Sequence, residues 1–100
     1  MKRLPIRRLA KADEDLIDIW FSVAYDNRTA ANRLFDRIVD RCQQLATLPY
    51  SGVSSASLSE GLRYLVCGNY LIFYRVMPNE IVIVRVLDGR RDITSDDFAT

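Results

Sequence analysis

Histidine is missing from this 100-residue sequence altogether. That absence removes Ser-His-Asp and Cys-His nucleophile pairs, histidine general bases and every metal site that needs an imidazole. Cysteine is scarce. Cys42 and Cys67 stand far apart with no C-x-x-C spacing, so free buried thiols are the expectation. Lysine is limited to Lys2 and Lys11, against 12 arginines. Arginine's planar, weakly hydrated fork suits interfaces, although a biased genome produces the same skew. Net charge is also lacking, at +1 from 14 cations and 13 anions, which excludes a protein living on phosphate contacts alone. No apolar run approaches the ~20 residues of a membrane span, and charges interrupt the first fifteen positions where a secretory leader needs an apolar core. The expectation is one cytoplasmic domain, residues 1–100, with no membrane association.

What is present is a core-forming pattern: 49% hydrophobic and 27% charged residues, the balance of a globular chain. Residues 3–8 alternate like a short strand, and Pro5 confines it to an edge. Leu9, Ala12, Leu16, Ile19, Trp20 and Val23 then recur at helical spacing, with Asp13, Glu14, Asp15 and Asp18 complementing the helix dipole. Trp20 is expected in the core, with Phe21 or Tyr25 at a rim. Thr29 reads as the cap of a second helix, striped by Ala31, Leu34, Phe35, Ile38, Cys42, Leu45 and Leu48 and ended by Pro49. Residues 50–61 read as a Ser/Gly-rich loop. Leu62–Cys67, Tyr70–Met77 and Ile81–Leu87 are rich in β-branched and aromatic residues and read as strands, with a Gly68-Asn69 hairpin turn. The order β-α-α-β-β-β predicts an α+β fold: a small antiparallel sheet with an N-terminal helical hairpin on one face and the first strand at an edge.

Pairing Met77 with Ile81 places Val82, Val84 and Val86 beside Ile72, Tyr74 and Val76, facing the helices. Leu71, Phe73, Arg75, Ile81, Ile83, Arg85 and Leu87 then form the other face. Only the segment from Ile93 to Phe98 remains to cover it. An uncovered apolar face marks a binding surface.

Two polar clusters add candidates. Gly89 is expected to take a positive φ and to project Arg90 and Arg91 at the strand exit, either for anion recognition or in pairs with Asp88, Asp92 and Asp96. Arg33, Arg37 and Arg41 share a helical stripe that Asp36 and Asp40 neutralise.

Asp15-Leu-Ile-Asp-Ile-Trp20, Leu48-Pro-Tyr-Ser-Gly52, Gly61-Leu-Arg63, Tyr70-Leu-Ile-Phe-Tyr-Arg75 and Arg85-Val-Leu-Asp-Gly-Arg-Arg-Asp92 occur in that order. Together they resemble the ParE branch of the RelE/ParE toxin superfamily. The resemblance implies a type II toxin that inhibits DNA gyrase and is neutralised by a ParD-like antitoxin of the ribbon-helix-helix type, in a hetero-oligomer. It implies no catalytic residue, no metal, no cofactor and no direct nucleic-acid binding by the toxin alone. On this expectation Leu71, Phe73, Arg75, Ile83, Arg85 and Leu87 contact the antitoxin, and Arg63, Arg90 and Arg91 contact the target. The alternatives are a ribosome-dependent mRNA endonuclease of the RelE kind and an inactive relic that still binds antitoxin. Against the endonuclease, Leu71 stands where that branch has a key arginine, Leu62 and Tyr64 stand where it has lysines, and Arg91 alone matches. Asp88 departs from the histidine common in ParE-like sequences.

Overall fold

The alternating N-terminal stretch yields a short strand, β1 (Ile6–Arg8), and the helical spacing beyond it yields α1 (Ala10–Ala24) and α2 (Arg28–Gln44). The structure, a computed structural model, describes residues 3–99; Lys2 lies outside them. Asn27, rather than Thr29, caps α2: its side chain accepts a hydrogen bond from the Ala30 amide at 3.0 Å. The helix ends at Gln44, before Pro49, because Leu45 and Ala46 turn back onto the carbonyls of Cys42 and Gln43.

The loop after α2 contains a two-residue strand, β2 (Val53–Ser54), and is followed by β3 (Leu62–Cys67), β4 (Tyr70–Val76) and β5 (Ile81–Asp88). The fold is α+β as expected, with sheet order β1-β5-β4-β3-β2. β1 adds to the β5 edge in parallel, so the sheet is mixed, and the other pairs are antiparallel. Gly68 takes φ +59° in the β3–β4 turn, as its position requires.

The register of β4 on β5 corrects the expected one. Ile72 opposes Val86 as predicted, but Val76 opposes Ile81 and Tyr74 opposes Ile83. A bulge between these halves absorbs one residue of β5, at Val84. Ile81 and Ile83 therefore join Ile72, Tyr74 and Val86 under the helices, in a core with Leu16, Leu34, Ile38, Leu45 and Leu65. Val82 and Val84 move to the other face.

That other face is not open. Leu62, Phe73, Val82, Val84, Leu87 and Phe98 form a second buried cluster, flanked by Leu9, Leu58, Tyr64, Leu71 and Ile93. Phe98 comes from a 3-10 turn, Ser95–Phe98, and meets Phe73 edge-on at 4.7 Å between ring centroids. The C-terminal segment thus supplies the cover that was the one candidate in the sequence.

Candidate functional site

The polar cluster at the end of β5 is organised by a buried carboxylate on α1. β1 stops pairing at Ile83, and the Leu9 amide closes that ladder on the Ile83 carbonyl. Beyond this point the β5 edge has no strand beside it among the described residues. Asp15 fills the gap: its Oδ2 accepts the Val86 amide at 3.0 Å and Arg85 Nε at 2.7 Å, while Oδ1 accepts Arg85 Nη2 at 2.9 Å. Both side chains are only 11% exposed. Arg85 Nη1 also donates to the Asp97 carbonyl at 2.9 Å. Every limb of Arg85 is therefore spent inside the protein, holding α1, β5 and the C-terminal segment together.

Arg90 and Arg91 lie farther out. Arg90 forks onto Asp88, with Nε to Oδ1 at 3.0 Å and Nη2 to Oδ2 at 2.7 Å. Those bonds hold the Asp88 carboxyl low, at about 2. Arg91 donates to Asp97 Oδ1, and Asp97 Oδ2 accepts the Thr94 amide. Their side chains are 70% and 44% exposed. Gly89 corrects its expectation, since it has no positive φ. Its need is for space: a Cβ there would lie 3.2 Å from Leu71 Cγ.

Arg63 belongs to a separate structural knot. Its Nη2 donates to the carbonyls of Tyr50 (3.3 Å) and Gly52 (2.8 Å), and its guanidinium lies over the Tyr50 ring. Tyr74 Oη donates to the Pro49 carbonyl and accepts the Gly52 amide. Two of the motifs behind the family resemblance, Leu48–Gly52 and Gly61–Arg63, thus meet at one loop anchor.

The expected apolar platform is largely core. Phe73 is 1% exposed, Ile83 0% and Leu87 3%, and Ile83 faces the helices rather than the second face. Leu71 and Arg75 are half-buried, with Arg75 donating to Ser59 Oγ. Cys42 and Cys67 are both free and buried, and burial pushes the Cys42 thiol up to about 11.

The apolar surface that is open lies on the hairpin. A groove of about 570 Å³ between α1 and α2 is lined by Leu16, Ile17, Trp20, Phe21, Asn32 and Phe35, with Asp36 at its rim. Ile17 is 56% exposed and Phe21 65%. Trp20 is half-buried rather than core, and its Nε1 donates to Asn32 Oδ1 at 2.9 Å across the groove. Sequence reasoning assigned Phe35 to the core and left Ile17 out. The available signal was that α1 carries more large apolar residues than one face can bury. Among the described residues, no ion pair joins Arg33, Arg37 or Arg41 to Asp36 or Asp40. Arg41 instead donates to the Val66 carbonyl and Gln44.

No helix among the described residues is long and apolar enough to cross a membrane. The solved chain described as "Chromosomal ParDE TA system from P. aeruginosa" superposes with a TM-score of 0.72 at 24% identity, covering 84% of this chain and 94% of that one. At that identity the likeness speaks for the fold. No curated protein matches significantly. The family described as "ParE toxin of type II toxin-antitoxin system, parDE" matches residues 6–93, which is most of the chain and includes both the Asp15–Arg85 lock and the hairpin groove. The chain belongs to the ParE toxin family of type II toxin–antitoxin systems.

Proposed function

We propose that this toxin acts by binding DNA gyrase, without bond chemistry of its own, and that a ParD-like antitoxin of the ribbon-helix-helix type neutralises it. The observation that carries this reading is the pairing of a filled sheet face with an open helical groove. An mRNA endonuclease of the RelE kind needs a sheet face that admits RNA and presents proton-transfer groups. Here that face holds Phe73, Leu87 and Phe98, all buried.

The groove between α1 and α2 suits the antitoxin. A third helix packs well between two, with its apolar stripe against Leu16, Ile17, Phe21 and Phe35. A basic residue on that stripe's edge would meet Asp36. The earlier candidates then divide by accessibility. Leu71 and Arg75 remain contacts for a segment reaching the sheet, while Phe73, Ile83, Arg85 and Leu87 act from below by fixing the surface. Arg90 and Arg91, exposed at the far end of β5, are the proposed target contacts, whereas Arg63 anchors the α2–β2 loop at the opposite end of the sheet and drops out as a contact beside them.

Phe21→Glu tests the antitoxin site. The side chain is 65% exposed, so the fold should hold, whereas a central anchor lost from an interface costs about 2 kcal/mol or more, roughly thirtyfold in affinity. Isothermal titration of the folded variant with the ParD-like antitoxin measures this, and unchanged affinity places the contact elsewhere.

A further inference from the structure

The C-terminal segment is attached to the sheet in an unusual way. After Gly89, whose amide bonds to the Asn69 carbonyl, the backbone hydrogen bond that ties it to a strand among the described residues is the local turn from the Arg91 amide to the Asp88 carbonyl at the end of β5. Its own bonds are local: Asp97 amide to Thr94 carbonyl, Ala99 amide to Asp96 carbonyl, and a capping box between Thr94 and Asp97. It is a preformed turn. Two neighbouring side chains do most of the anchoring. Asp97 receives Arg91, and its backbone carbonyl receives Arg85 Nη1. Phe98 sits in the second core cluster at 8% exposure, against Phe73. The seat is not tightly closed, because a cavity of about 280 Å³ adjoins Phe98 between Leu9, Val84, Arg85 and Asp97.

Lifting this segment would leave an apolar slot lined by Leu62, Phe73, Val82, Val84 and Leu87. It would also free the guanidinium of Arg91 and one limb of Arg85. A polypeptide replacing it must satisfy the same two needs, a negative charge and an apolar plug one residue apart. We propose that residues 94–99 are a removable strap, and that the slot beneath them binds a partner segment presenting a carboxylate followed at once by a large apolar side chain. The proposal goes beyond the gyrase and antitoxin reading and stands or falls separately from it.

Hydrogen exchange on the full-length chain is the first arm of the test. The Asp97 and Ala99 amides should exchange on the order of a hundredfold faster than the β4–β5 ladder, because a strap opens without unfolding the sheet. Equal rates overturn the proposal. The second arm uses the Asp97→Asn, Phe98→Ala double variant, with Phe98→Ala alone if the double variant does not fold. Loss of the sheet in both variants overturns the proposal as well. An acetylated peptide copying residues 94–99 should bind the folded variant with a dissociation constant of about a millimolar, shifting resonances of Leu62, Phe73, Val82, Val84 and Leu87. The peptide carrying Asn and Ala at the two anchor positions should not bind. Absence of binding by the native peptide, or equal binding by both peptides, contradicts the proposal.

Discussion

Asp15 accepts three hydrogen bonds, two from Arg85 and one from the Val86 amide, in a setting where both charged side chains are 11% exposed. Removing one partner of a buried pair leaves the other uncompensated. Asp15→Asn is expected to cost about 3–5 kcal/mol in urea unfolding. A loss below about 1 kcal/mol would mean that water already screens the pair. Asp88 differs because it is a surface carboxylate. Its pKa falls from 3.8 to about 2 through the Arg90 side chain and amide. A depressed carboxyl favours the folded state above its unfolded value and loses that contribution as pH falls through about 2. The fork's contribution should therefore be full from neutral pH down to about 3.8 and be lost as pH falls on toward about 2, where a carboxyl NMR titration should find the Asp88 midpoint. In Arg90→Ala the midpoint should return toward 3.8, the ordinary value. Phe73→Asp, attractive as an interface probe from the sequence, is expected instead to unfold the chain, since Phe73 is 1% exposed.

At the scale of elements, the α2–β2 loop rests on a close contact. A Cβ on Gly52 would lie 2.5 Å from Tyr74 Oη and 2.6 Å from the Tyr64 carbonyl. Gly52→Ala must push the loop off Tyr74 and break both hydrogen bonds of that hydroxyl, at a cost of about 2 kcal/mol or more in thermal or chemical unfolding. A wild-type melting curve would show that the loop moves freely. The elements themselves were legible from periodicity and turn residues: both helices and β3, β4 and β5 lie where the pattern places them. The β4–β5 register was not. Ile81, Val82, Ile83 and Val84 are all apolar, so either register buries a hydrophobic row, and only Arg85 argued for one of them. The bulge at Val84 lets the chain take one register near the turn and the other beyond it. Asp15 was hidden for a related reason. In sequence it is one of several acids in a helix's first half, and its role depends on β1 ending before β5 does. The groove escaped because Phe35 fits a helical stripe whether or not anything covers it.

Over the whole molecule, the open groove and the strap-covered slot lie on opposite sides of the sheet layer. An extended chain advances at most ~3.5 Å per residue, so crossing the 21 Å short dimension takes at least about six residues. A flexible tail can do this, and ordering it on the toxin would bury a large surface at the cost of its own entropy. The arginine end of β5, the proposed target contact, stays exposed, with Arg90 and Arg91 held in place by Asp88 and Asp97. The most direct test of that placement is a gyrase supercoiling assay with purified toxin free of antitoxin. Wild-type protein should inhibit supercoiling, and a folded Arg90→Ala, Arg91→Ala double variant should inhibit at least about tenfold less, as expected when two charged contacts are lost from an interface. No inhibition by folded wild-type protein would contradict the account, and transcript cleavage in a translating extract would then be the reading to pursue.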